Sequence, residues 1–304
     1  MTGGFAMVGE IRTVRLTNAR ALPPQTVAEL LDLVPGAPVR VRERPLRRAL
    51  SPDLLHGVDC PLITRSGARV NSVGTLAARA VVTGGRVLQG SARAVLDIGG
   101  ERRLPWSHYM ARPGVVELNG RAAPSDVAAR FPAGRDPESL DPGAVSEALL
   151  DRLRDSPLLD RPSPSPRVRR TRLRWSATVG ADRFSGAFTL AGQEVRTLRL
   201  TLTSTDTTPD QLVSLCEDLA LHDWLLTTVS RVVEHDRDGL DDLHTTVDQL
   251  LHLWLPGIDL PPELLAVWEG LERAPGLSRQ WHAQVERIRH QLTLRALNLP
   301  DSPA

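Results

Sequence analysis

Four sets of residues have types and spacings that could do chemistry. Glu234, Asp236 and Asp238 fall at positions 1, 3 and 5 of a calcium-type loop, with Gly239 at position 6. Alternate carboxylates around a sharp turn are what a hard cation requires. Position 12 should bring a bidentate Glu and is Thr245, and position 8 is Asp241 instead of an aliphatic. The competing reading is a solvated turn in which Gly239 ends one helix and Asp241 or Asp242 caps the next. Trp106, His108, Tyr109 and Arg112 form the densest polar and aromatic cluster and include the only tyrosine. Arg112 would hold an anion there, and Trp106 or Tyr109 would stack on a ring. Otherwise the same loop packs its aromatics over a sheet edge.

His222 has Asp223 beside it and Glu217–Asp218 about a turn earlier. No His-Glu-x-x-His pattern accompanies it, so a hydrogen-bonded core histidine is the simpler reading. Cys216, six residues away, reads as a packed thiol. Two arginine stripes come last: Arg40, Arg42 and Arg44, then Arg170, Arg172 and Arg174. Such stripes suit nucleic-acid phosphates. Aromatics that would stack bases do not interleave with them, and charged edge strands that block aggregation are the simpler reading.

Composition removes whole classes of reaction. All 37 basic residues are arginine. A Walker A loop, a protein kinase and a pyridoxal enzyme each need a lysine amine, so none of them fits. No cofactor is expected. The net charge of +1 hides two poles: residues 1–130 hold 18 Arg against 10 acidic residues, and residues 205–304 hold 7 against 17. Opposite poles attract, within one chain, between copies or toward a basic partner. Aromatics make up only 4% of the chain, so the core must be built from Leu, Val and Ala. No apolar run reaches the roughly 18 residues of a membrane helix. The start lacks the charged and apolar regions of a secretory signal, and Met7 is an alternative start to Met1. Cys60 and Cys216 have no motif spacing, so the expected setting is cytoplasmic.

The periodicities predict the elements that position these groups. A strand over Gly9–Thr17 leads to a helix opened by Pro23–Pro24, with Val27, Leu30, Leu31 and Val34 on one stripe. A short helical turn is expected after Ser51–Pro52, then β structure from Val70 to Gly120 with a tight turn at Gly84–Gly85. Residues 131–166 hold seven prolines and read as a spacer with one short helix near Ala144–Arg154. Alternation at Leu173–Val179, Phe184–Leu190 and Leu198–Leu202 predicts a three-stranded antiparallel meander with one apolar face. Thr208-Pro-Asp-Gln211 is a capping box opening a helix striped by Leu212, Leu215, Leu219, Leu226, Val229 and Val233. Three more helices follow, at Leu243–Trp254, from Pro261–Pro262, and along Trp281–Leu292. The fold class is therefore α+β. The expected organisation is a basic β-rich domain over 1–130, a Pro-rich linker over 131–166, and a meander under an acidic four-helix block over 167–304.

The segments Gly9–Thr13, Val70–Ser91, His108–Gly114 and Cys216–Thr227 resemble an uncharacterised family of actinobacterial proteins. The resemblance spans most of the chain. It implies a component of a multi-protein system encoded beside a variant P-loop protein and a SAM-dependent methyltransferase, and it brings no catalytic residues. Together these readings point to a non-enzymatic interaction or scaffold subunit, with other proteins or a second copy as partner and no membrane. The alternatives are a small-ligand binder or enzyme using the Trp106–Arg112 loop, and nucleic-acid binding through the arginine strands.

Overall fold

The alternating segments form strands whose two faces are both covered. The structure, a computed structural model, describes residues 4–16, 18–134, 136, 138–160, 170–235, 249–257 and 260–297. The strands are β1 (Ala6–Arg15), β2 (Arg40–Arg42), β3 (Arg48–Leu50), β4 (Leu54–Ile63), β5 (Arg69–Thr83), β6 (Val87–Ile98), β7 (Val115–Asn119), β8 (Thr171–Val179), β9 (Ser185–Leu190) and β10 (Val195–Leu202). The helices are α1 (Pro24–Leu31), α2 (Trp106–Met110), α3 (Pro124–Arg130), α4 (Pro142–Arg154), α5 (Pro209–His235), α6 (Pro262–Arg273) and α7 (Leu277–Leu297).

Among the described residues the strands join in one ten-stranded mixed sheet, ordered β2-β3-β5-β7-β6-β1-β8-β10-β9, with β4 also paired to β5. One face packs Met7, Ile11, Trp175, Leu198 and Leu200 against α5, α6 and α7. The other packs Val8, Ala78, Ala80, Leu88 and Ala94 against α1, α3 and α4. The α+β class holds, and no described helix is long and apolar enough to cross a membrane.

The expected organisation needs four corrections. First, β1 pairs with β6 on one side and β8 on the other, so one sheet runs through both proposed domains. Second, the described part of the proline-rich stretch is not a spacer. Its helix α4 buries Leu149, Leu150 and Leu153 on the sheet, and Ser146 Oγ donates to the Glu10 carbonyl at 2.9 Å. Residues 161–169 lie outside the described residues. Third, β8, β9 and β10 are not a meander. β10 sits between the other two, parallel to β8 and antiparallel to β9. Leu198, Leu200 and Leu202 of β10 are buried under α5, whereas β9 carries only glycine, alanine and hydroxyl residues between its large side chains. The strand with more apolar area to bury takes the inner place.

Fourth, the turn expected after Ser51–Pro52 is the start of β4. Ser51 Oγ instead accepts the Ala80 amide at 2.9 Å, tying the chain to β5. In the four-helix block, α5, α6 and α7 are present, and most of the Leu243–Trp254 helix lies outside the described residues. The capping box forms: the Thr208 amide donates to Gln211 Oε1 at 2.7 Å and the Gln211 amide to Thr208 Oγ1 at 3.3 Å. Gly84 and Gly85 make the β5–β6 turn at φ +60° and +66°, a conformation natural to glycine. That hairpin then forks. Residues 77–83 of β5 pair with β6, while residues 71–74 pair with β7, which enters the fork and runs parallel to β6.

Candidate functional site

The structure gathers the Trp106–Arg112 cluster, but its polar groups are used within the fold. Tyr109 is buried, and its hydroxyl accepts the Leu104 amide at 3.0 Å. Arg112 donates to Asp97 Oδ2 at 2.5 Å and, through its other terminal nitrogen, to Glu117. His108 Nε2 lies 2.7 Å from the same Glu117 carboxylate. Trp106 remains half exposed against Tyr109 at 5.7 Å, edge to face. An incoming anion would have to displace two carboxylates from Arg112. Replacing Arg112 with alanine should lower stability by about 1–3 kcal/mol, because the buried Glu117 carboxylate loses its guanidinium partner. A thermal-shift screen with nucleotides and anionic metabolites should show no midpoint rise that depends on Arg112.

Of the calcium-type residues, Glu234 lies near the end of α5 and is exposed, and Asp236 and Asp238 lie outside the described residues. Among the described residues no group of three or more His, Cys, Asp or Glu could hold a metal ion. His222 is fully buried between Trp254 and Trp268. The Leu255 amide can only donate, so His222 Nε2 accepts from it at 3.2 Å and Nδ1 carries the proton, donating to the Asp218 carbonyl at 2.7 Å. Cys216 is fully buried, and burial, reinforced by neighbouring Glu217, pushes its thiol well above the usual range. A thiol so placed is not a nucleophile.

The arginine stripes divide. Arg40 and Arg44 are exposed and Arg42 is half-buried on the β2 side. The second stripe is not a basic surface. Arg170 pairs with Glu147 and with Asp151 of α4. Arg172 and Arg174 point at Glu10, a fully buried carboxylate in the middle of β1, at 3.7 and 3.8 Å. Arg174 is itself buried, donates to the Phe131 carbonyl at 2.8 Å, and lies 3.9 Å over the Phe131 ring. Alternation puts these side chains on the face that α3 and α4 cover, so their charge is met inside the fold.

A second buried ionic cluster, not evident from local patterns, joins the two charge poles. Glu217 of α5 accepts two hydrogen bonds from Arg79, at 2.8 and 2.9 Å, and one from Arg48 at 2.9 Å. Gln89 donates to the Glu217 carbonyl at 2.9 Å. Arg93 binds both oxygens of Asp53, at 3.1 and 2.8 Å, and reaches Asp210 at 3.4 Å. The acidic tail thus docks on the basic front of its own chain. The available signal was Arg79, the lone charge in the run Val73–Thr83.

Among the described residues, what stays open is the far edge of the sheet, at β9. Next to β9 lies a groove of about 480 Å³ bounded by Phe188, Leu190, Leu226, Arg231, Pro275 and Leu277. Its floor is the Arg196–Asp223 pair at 2.8 Å. Arg196 also donates to the Gly192 carbonyl at 2.9 Å and to Thr227 Oγ1 at 3.0 Å, which holds β10 and the β9–β10 turn to α5. Burial raises the Asp223 carboxyl more than Arg196 lowers it. Phe184 and Leu190 are 48% and 63% exposed, high for large apolar side chains flanking and ending one strand. A groove with alternate apolar side chains beside an unpaired strand edge can take an extended segment as an added strand.

The chain matches no family model, no curated protein and no solved structure.

Proposed function

We propose that this protein is a non-enzymatic interaction subunit that binds an extended protein segment, from a second copy or from another protein, along the open edge of β9. The observation that carries this reading is the juxtaposition of an uncharged edge strand with the neighbouring groove. Main-chain hydrogen bonds to the edge would supply affinity, and the groove beneath Phe188 and Leu190 would select alternate side chains. The groups that could have served an enzyme or a phosphate-binding surface, namely Arg112, Arg170, Arg172, Arg174 and Glu217, are engaged by neighbours in the fold. A cytoplasmic setting, and a co-encoded P-loop protein as one partner, belong to the same proposal.

The test is co-purification from the native host with tagged wild-type chain and with a Phe184→Arg/Leu190→Arg double variant as baits. We expect a protein retained in stoichiometric amount by the first and lost by the second. Identical sets retained by both baits would overturn the reading.

A further inference from the structure

We infer that β9 pairs with β9 of a second copy, making a two-fold dimer with one sheet continuous through both chains. The inference rests on the reading above and names the occupant of the same edge.

The backbone comes first. The Ala191 amide donates to the Val195 carbonyl at 2.9 Å, and from there β9 pairs antiparallel with β10, from Leu190 opposite Arg196 to Ser185 opposite Thr201. In an antiparallel ladder every second residue turns both its N–H and its C=O toward the partner strand. Counting back from Ala191, residues Thr189, Ala187 and Ser185 bond to β10. Gly186, Phe188 and Leu190 therefore turn their N–H and C=O outward, and among the described residues β9 is the last strand of the sheet on this side.

Edges left in this state are normally blunted by charge or proline. The opposite side of the sheet carries such devices, with Arg40 and Arg42 on β2 and Asp59 and Pro61 on β4. The stretch Phe184–Gly192 has neither charge nor proline. Its pattern is also self-complementary. In a two-fold pairing centred on Phe188, Phe188 meets the partner's Phe188, Leu190 meets the partner's Gly186, and Phe184 meets the partner's Gly192. Each large side chain then faces a glycine or its own symmetry mate. A Cβ placed on Gly186 would meet only Leu200, at 3.6 Å, and one on Gly192 nothing within 4 Å, so both positions have room for the opposing side chain. The outward N–H and C=O groups of Gly186, Phe188 and Leu190 fall opposite one another in this register. The pairing is isologous, so it closes at two copies and does not propagate into a fibre.

One six-residue strand per side is a small contact beside the roughly 1,200–2,000 Å² of a stable interface, so the dimer should be weak. Sedimentation velocity of the purified full chain over about 1–100 µM should show monomer passing to dimer. Leu190→Arg places a charge in the pairing and should weaken association by about tenfold or more, which corresponds to 1.4 kcal/mol. Its melting midpoint should not change, because the side chain is mostly solvent-exposed. Val41→Asp on the opposite edge should dimerise as wild type does. Amide exchange should show Gly186, Phe188 and Leu190 gaining protection with concentration, while Ser185, Ala187 and Thr189 are protected throughout.

A wild type that stays monomeric over the whole range overturns the inference. So does a dimer that Leu190→Arg leaves intact, or one that leaves those three amides unprotected. A monomer that still loses its native partner with Phe184→Arg/Leu190→Arg would end self-pairing and leave the edge as a binding site for another protein.

Discussion

Glu217→Ala will cost about 3–5 kcal/mol, the usual loss when one member of a buried ion pair is removed. The removed carboxylate is fully buried and takes three charge-assisted hydrogen bonds from Arg79 and Arg48. Truncation leaves the Arg79 guanidinium 1% exposed and without its counterion. At roughly 2–4 °C per kcal/mol the melting midpoint should fall by on the order of 10 °C. If the alanine variant does not accumulate as folded protein, Glu217→Gln keeps the shape, removes the charge and should lose part of the same amount. Replacing Arg48, Arg79 and Glu217 together by apolar residues of similar volume should recover much of the loss, because the desolvation cost of the ions disappears with them. A triple replacement no more stable than Glu217→Ala would show that the cluster does more than neutralise itself.

The same site sets a direction with pH. Burial pushes the Glu217 carboxyl up, but Arg79, Arg48 and Arg93 more than offset it and hold it below the usual range. A carboxyl depressed in the folded state contributes stability above its unfolded pKa and loses it as pH falls through the folded one. Acid unfolding of wild type should therefore carry a Glu217 component that Glu217→Gln lacks. Asp223 acts in the opposite sense, since its raised carboxyl makes ionisation at neutral pH a cost that eases in acid.

Trp175→Ala should cost a comparable 3–5 kcal/mol, roughly the range for removing a buried aromatic. Trp175 is fully buried in β8 and lies directly across from Gly9 of β1. A Cβ on Gly9 would come within 2.7 Å of the indole and 2.8 Å of the Ala92 carbonyl oxygen, so the glycine exists to let the ring lie flat across β1. Gly9→Val alone should overpack and cost about 1–3 kcal/mol. In the double variant the valine enters the space the indole vacates. The two losses should then sum to less than their total, with the Ala92 contact limiting the rescue. Trp175 Nε1 is buried with no hydrogen-bond partner among the described residues, so Trp175→Phe gives up no hydrogen bond and should be clearly milder than alanine. Urea midpoints at constant slope would measure each term. Strict additivity of Gly9→Val and Trp175→Ala would show that the two residues do not share one space.

Several features were readable residue by residue. The α5 capping box, its leucine stripe, the Gly84–Gly85 turn and the alternation of β5, β6, β8 and β10 depend on neighbours within a few positions, and local geometry enforces them. The absence of lysine bounded the chemistry without any fold. Other features depend on which distant segments meet. Glu217 and Arg79 are 138 residues apart, and no period links them. The parallel insertion of β7 into the hairpin fork and of β10 between β8 and β9 follows from competition for buried positions, which alternation alone does not rank. The same competition buried Arg174 under α3 and α4 and left β9 outermost. Charge type and spacing settled what this chain could be made of and which reactions it could not run. Only the tertiary arrangement decided which charges cancel one another and which strand edge stays open, because a strand's partners are chosen by area buried across the whole sheet and not by its own residues.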